Sequence, residues 1–122
     1  MQHLILVVED HDDARELLTL MLETLGHRVV VAADGQEAIE LARAEQLDLI
    51  LMDIGLPVMD GITATRIIKT SVNATNRVPI VAVTAHTAKY KDEILEAGAA
   101  EVLTKPVDFA NLKPMLSRYL SA

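Results

Sequence analysis

Cysteine is absent from the 122 residues, which excludes disulfides and thiolate metal sites and fits a reducing compartment. Tryptophan is absent too, and one Phe and two Tyr are the only large aromatic residues. A core made from this chain must therefore be aliphatic, and a hydrophobic content of 51% supplies enough Leu, Ile, Val, Ala and Met to build one. No apolar run approaches the roughly 20 residues of a membrane-spanning helix. No basic stretch followed by a long apolar one stands at the N-terminus, so the chain does not read as starting with a signal peptide. Positive charge is scarce: 11 basic against 18 acidic side chains give a formal net charge of −7. Such a surface repels phosphate backbones and argues against direct nucleic-acid binding. Most of the acids read as a solvated surface, and a few are left over for a local cation site. The length suits one domain, residues 1–122, and no repeat, linker or low-complexity tract divides it.

What is present is organised around Leu49-Ile50-Leu51-Met52-Asp53-Ile54-Gly55-Leu56-Pro57. The residues before Asp53 are apolar without alternation, the pattern of a strand covered on both faces. Gly55 and Pro57 then turn the chain. Asp53 is thus expected at the carboxyl end of a central strand, the edge at which open α/β sheets bind ligands.

Four more short apolar runs are expected to be strands: Leu4 to Val8, Val29 to Ala32, Ile80 to Val83 ending at Thr84, and Glu101 to Thr104. Between them apolar residues fall at helical spacing. Ala14, Leu17, Leu18, Met21, Leu22 and Leu25 form a first stripe, with Asp13 and Glu16 as a capping box and Gly26 as its stop. Asp34 and Glu37 could cap a second helix, and Asp60-Gly61 opens a third. A fourth is expected over roughly Lys89 to Ala97, stopping at Gly98. A fifth carries Phe109, Leu112, Met115, Leu116, Tyr119 and Leu120 on one stripe. Pro114 then either kinks that helix or sits in a first turn beginning near Asn111. Ser71 to Arg77 reads as a polar loop. Met21 and Met115 read as core filler. Strands alternating with helices in this way argue for a parallel sheet with helices on both faces, all strand carboxyl ends lying on one edge.

That edge collects Glu9 and Asp10 from the first strand, Asp53 from the third, Thr84 from the fourth and Lys105 from the fifth. Carboxylates about 4 Å apart at an effective dielectric near 20 repel by about 4 kcal/mol per pair. A hard divalent cation with oxygen ligands relieves this, and Mg²⁺ characteristically adds waters and a phosphate oxygen to one or two carboxylates. Such a site would hold a phosphoryl group, with Asp53 as carboxylate nucleophile, the metal and Lys105 neutralising the equatorial oxygens, and the Thr84 hydroxyl donating to one of them.

Taken together, Glu9-Asp10, Asp53 followed by Leu56-Pro57-Val58-Met59-Asp60-Gly61, Thr84-Ala85 and Lys105-Pro106 resemble a bacterial two-component response-regulator receiver domain of the single-domain, chemotaxis-regulator-like kind. The resemblance covers essentially the whole length. It implies a flavodoxin-like, doubly wound five-stranded parallel sheet, ordered 2-1-3-4-5, with five helices. It implies Asp53 as phosphoacceptor, Thr84 and Lys105 as its catalytic partners, and Glu9, Asp10, Asp53 and the Gly55 carbonyl around Mg²⁺. It also implies a cis peptide at Lys105-Pro106. The expected donor is a phosphohistidine on a sensor histidine kinase or a histidine phosphotransfer domain. The expected output is a downstream protein bound at the face formed by the fourth helix, fifth strand and fifth helix. The location implied is cytoplasmic, and the chain is a phosphoacceptor that assists its own phosphorylation and dephosphorylation, not an enzyme with a separate substrate. Whether it is a stand-alone protein or part of a larger one, both arrangements would look the same.

Family members have an aromatic residue on the fifth strand that turns inward on phosphorylation, whereas this chain has Val102 there. The switch is therefore expected to rest on Thr84 and the loop after it. Gly55 offers no side chain to attacking water, and His86 is expected at the rim of the site. His11 reads as a solvated loop residue, and His3 and His27 carry no chemical signal. The alternative on the same fold is a phosphorylation-independent interaction module, against which the intact acid pair, Asp53, Thr84 and Lys105 count. A flavin carrier would want a Ser/Thr/Gly-rich loop where Glu9-Asp10-His11-Asp12-Asp13 stands. A phosphatase would want a second acid where Gly55 stands.

Overall fold

A computed structural model describes residues 2–71 and 77–120. Five strands and five helices alternate: β1 (Leu4–Val8), α1 (Asp12–Thr24), β2 (Arg28–Ala32), α2 (Gly35–Ala44), β3 (Leu49–Asp53), α3 (Gly61–Lys69), β4 (Ile80–Thr84), α4 (Thr87–Glu96), β5 (Glu101–Thr104) and α5 (Phe109–Tyr119). All neighbouring strands are parallel, in the order β2-β1-β3-β4-β5. The expected doubly wound sheet is therefore present. The loop expected over residues 71–77 lies mostly outside the described residues.

β1, β3 and β4 are buried at every position, which is why they read as unbroken apolar runs. β2 and β5 lie at the edges and are only partly buried. Along β1, Leu4, Leu6 and Val8 pack towards Ala38, Ile39, Ala64 and Ile68 of α2 and α3. Ile5 and Val7 pack on the other face towards Met21, Leu22, Leu112 and Met115 of α1 and α5. A smaller cluster of Ile54, Ala82, Ile94 and Ala99 seats α4, with Tyr90 and Val102 packed against it.

Several helix details differ from expectation. α1 begins at Asp12 with His11 as its N-cap and no side-chain cap, so Asp13 and Glu16 form no capping box there. The His11 ring is turned to Glu9 and Asp10 instead. Leu17, expected on the buried stripe, is 59% exposed. Asp34 and Asp60 do cap α2 and α3, accepting from the backbone N–H groups of Glu37 and Thr63 at 2.8 Å each. α4 starts two residues before the expected Lys89, where the Thr87 hydroxyl is hydrogen-bonded to the Thr104 hydroxyl at 2.6 Å. α5 starts at Phe109 under a capping box between Asp108 and Asn111, so Pro114 lies inside the helix and not in its first turn. The same start leaves Phe109 exposed rather than on the buried stripe.

At the amino edge of the sheet, His3 and His27 stand side by side with ring centroids 5.6 Å apart. Burial and the His3 ring hold the His27 imidazole below its ordinary range, against the pull of the Asp48 carboxylate.

Candidate functional site

β1 and β3 are neighbours in the sheet, but the chain leaves β1 towards β2 on one side and returns to β3 on the other. Their carboxyl ends therefore open a crevice between diverging connections. Glu9 follows β1, Asp53 is the last residue of β3, Thr84 the last of β4, and Lys105 follows β5. Glu9, Asp53 and Thr84 are each 5% exposed, so two carboxylates and a hydroxyl are set in the sheet's edge with little solvent to support them. The Lys105 ammonium lies 3.2 Å from Glu9 Oε1 and 3.2 Å from Asp53 Oδ1 and bridges the two. Its approach follows from the Lys105 N–H donating to the Thr84 carbonyl at 2.9 Å, and the peptide to Pro106 is cis.

The electrostatics follow from this crowding. Burial pushes the Asp53 carboxyl above its usual range, the neighbouring Glu9 carboxylate adds to that, and Lys105 offsets part of it. Burial acts to raise Glu9 as well. Its hydrogen bonds with Asp53, the His11 backbone N–H and Lys105 outweigh that and hold it at about 2. Burial alone would lower Lys105, but its two carboxylate partners push it up, so it stays charged.

Asp10, Glu9 and His11 present ligand atoms that all lie within 4.8 Å of one another. Among the described residues Asp10 Oδ1 is buried and accepts no hydrogen bond, the His11 ring nitrogen standing beside it at 3.3 Å. An orphaned carboxylate oxygen beside a second carboxylate suits a hard divalent cation with oxygen ligands, and Mg²⁺ is such an ion. His11 Nδ1 stands 3.3 Å from Asp10 Oδ1 and 3.4 Å from Glu9 Oε2. Its side chain is 74% exposed, so the solvated position expected of it holds, with the ring beside the acid pair. The Gly55 N–H reaches Asp53 Oδ1 at 3.4 Å, and a side chain added at Gly55 would meet nothing within 4 Å.

The cavity around Asp53, about 660 Å³, is lined by Gly55, Thr84, His86 and Lys105 and runs on between α3 and α4 past Arg66, Tyr90 and Glu93. His86 is therefore at the rim as expected. The Thr84 hydroxyl accepts from the His86 N–H at 3.0 Å, which leaves its proton free to be donated. Two contributors went unread in the sequence. The Arg15 guanidinium donates to the Glu9 carbonyl at 3.0 Å and fixes the acidic loop. A Cβ on Gly61 would stand 2.1 Å from the Asp53 carbonyl oxygen, so this glycine lets α3 close against the residue it positions. The only signal for it was its place after Asp60, which reads equally well as a helix start.

Residues 5–117 match the family described as response regulator receiver domain. The sensor kinase BarA of Escherichia coli is 36% identical over 116 residues, which are 94% of this chain and 12% of that protein. The chain thus spans a small part of such relatives, down to 3% of a hybrid histidine kinase of Dictyostelium discoideum that is 37% identical over 94% of the chain. Among solved structures, the receiver domain of the sensor histidine kinase PA1611 of Pseudomonas aeruginosa, described with magnesium coordinated in its active-site cleft, superposes with a TM-score of 0.90. It is 40% identical, with 98% of each chain covered. The chain belongs to the response-regulator receiver family, whose members serve as phosphoacceptor domains of two-component signalling and phosphorelay systems.

Proposed function

We propose that Asp53 accepts a phosphoryl group from a phosphohistidine, that Glu9, Asp10, Asp53 and the Gly55 carbonyl hold Mg²⁺, and that Thr84 and Lys105 complete the catalytic set. The observation that carries this reading is the Lys105 ammonium, 3.2 Å from both Glu9 and Asp53 at the edge where the sheet's strands end. An Asp53 oxygen attacks phosphorus in line as the P–N bond breaks, and the electron pair leaves on the donor imidazole. Bound Mg²⁺ supplies neutralising charge to the phosphoryl oxygens. Lys105 stays beside Asp53 and takes up charge on a second phosphoryl oxygen, while the Thr84 hydroxyl donates to a third.

The donor is a histidine kinase or a histidine phosphotransfer domain, in the cytoplasm, and residues 1–122 act as one unit. The donor seats on an apolar groove of about 470 Å³ lined by Leu17, Leu18, Met21 and Val107. Glu9 and Lys105 line that groove as well as the site, so the two are continuous. The output is a protein that recognises the α4–β5–α5 face. The domain acts on itself and turns over no separate substrate.

Incubation with acetyl phosphate and Mg²⁺, read by intact mass, tests the reading. One phosphoryl group per chain is expected, lost in Asp53→Asn and on chelation of the metal. A chain left unlabelled both by acetyl phosphate and by phosphorylated histidine phosphotransfer domains would be a phosphorylation-independent interaction module instead.

A further inference from the structure

The sheet's amino edge, opposite the phosphoryl site, brings together two histidines that lie 24 positions apart in sequence. His3 precedes β1 and His27 precedes β2. The register pairs Leu4 with Arg28, and continued one residue back it sets His3 beside His27 on the same face. Both backbones are fixed. The Arg28 N–H donates to the His3 carbonyl at 2.9 Å, and the His27 N–H donates to the Leu22 carbonyl at 3.1 Å. The ring planes are inclined by 52° with centroids 5.6 Å apart. Nδ1 of each ring is buried and has no hydrogen-bond partner among the described residues. Two orphaned nitrogens on neighbouring rings are unusual enough to need a cause, because buried polar atoms are nearly always paired.

We propose that His3 and His27 form a binding site for a borderline divalent transition-metal ion of the Zn²⁺ class, held by the two Nδ1 atoms and completed by water. A metal–imidazole bond of about 2.0–2.1 Å puts each ring centroid about 3.2 Å from the ion, so centroids 5.6 Å apart subtend about 120° there, close to the tetrahedral preference. Asp48, which opens onto β3, supplies negative charge near His27 while its Oδ2 accepts from the Leu4 N–H at 2.8 Å. Ligand type separates this site from the one at the other edge. Imidazoles select borderline ions, and the carboxylates beside Asp53 select hard ones. A bound ion would tie β1 to β2 and stabilise the folded state through binding linkage.

Titration of the full chain with Zn²⁺ in excess Mg²⁺, followed by calorimetry and by the ring C–H resonances of the four histidines, tests this. One equivalent is expected to bind, shifting the His3 and His27 signals and raising the thermal midpoint by several degrees. His3→Gln and His27→Gln are each expected to weaken binding by at least about tenfold, as two-ligand sites lose most of their affinity with one ligand. His11→Gln is expected to leave it unchanged. Far-UV circular dichroism of each variant reports that the fold is intact. Should either variant fail to fold, the wild-type resonances decide. Zn²⁺ that moves only His11 or His86, binds His27→Gln as well as wild type, or is not bound at all overturns the proposal.

Discussion

Val58 has φ 66° in the turn after β3, a conformation that a β-branched side chain tolerates badly. It is also 90% exposed, so the strain is not repaid by packing. Val58→Asn is therefore expected to stabilise the protein by about 1 kcal/mol in urea unfolding, since asparagine populates this region readily. Gly61 behaves in the opposite way. Its added Cβ would stand 2.1 Å from the Asp53 carbonyl oxygen and 2.9 Å from the Ile54 Cα, both backbone atoms that cannot swing aside. Gly61→Ala is expected to cost about 2 kcal/mol or more and to slow acetyl-phosphate labelling, because the strain falls on Asp53, the proposed acceptor. At this scale Glu9, Asp53, Thr84 and Lys105 were legible because each ends an apolar run, and a strand end is readable without knowing its neighbours. His3, His27 and Arg15 were not, because what they touch is set by strand register and by a loop's path.

Glu101, Arg118 and Tyr119 join β5 to α5. Arg118 pairs with both Glu101 oxygens, and the Tyr119 hydroxyl donates to Glu101 Oε1 at 2.8 Å. Burial acts to raise Glu101, but the hydrogen bonds from Arg118 and Tyr119 outweigh it and hold its carboxyl below the usual glutamate range. A carboxylate depressed in the folded state contributes stability above its unfolded pKa of about 4.3, and that contribution is lost as pH falls through the folded value. Urea unfolding of wild type and Glu101→Gln is thus expected to differ at pH 7 and to converge on acidification below about pH 4. A gap that is constant from pH 7 to 3 would show the pairing to be idle. The switch belongs to this scale too. Val102 has no ring to turn, but Tyr90 of α4 packs on the same small cluster, and its ring meets His86 edge-on at 6.4 Å. The His86 N–H is held by the Thr84 hydroxyl, so the proposed movement of Thr84 to a phosphoryl group would release the start of α4. Beryllofluoride with Mg²⁺ is expected to shift the amide resonances of His86, Tyr90 and Val102 together. Shifts confined to residues 9–11 and 53–55 would break that link. Helix ends were the least legible elements. The Asp13–Glu16 spacing offered a cap, but the backbone closed its first turn on the His11 carbonyl instead, and Pro114 was placed by the Asp108–Asn111 box that starts α5.

Across the whole molecule, the fold was legible because three central strands are buried on both faces and the chain length leaves room only for helices between them. A period of 3.6 residues marks which side of a helix is apolar, but not whether anything covers it. α1 shows the consequence. Met21 and Leu22 are buried, while Leu17, on the same amphipathic stripe, is 59% exposed. Across the groove from Leu17 are Pro106 and Val107, just beyond the lysine that reaches Asp53. In the proposed function a macromolecular donor covers this ground to bring its phosphohistidine to the site, whereas a small phosphodonor diffuses in without touching it. The two kinds of donor should therefore respond differently to one substitution. Leu17→Asp places a carboxylate on an exposed position of an already acidic molecule, so stability is expected to change by less than about 0.5 kcal/mol. Transfer from a phosphorylated histidine phosphotransfer domain is expected to slow by about tenfold or more, the scale of losing an apolar contact and adding a desolvated charge. The rate of labelling by acetyl phosphate is expected to stay within about twofold. Equal losses with both donors would place the effect in the site itself, and no loss with either would move the donor to another face.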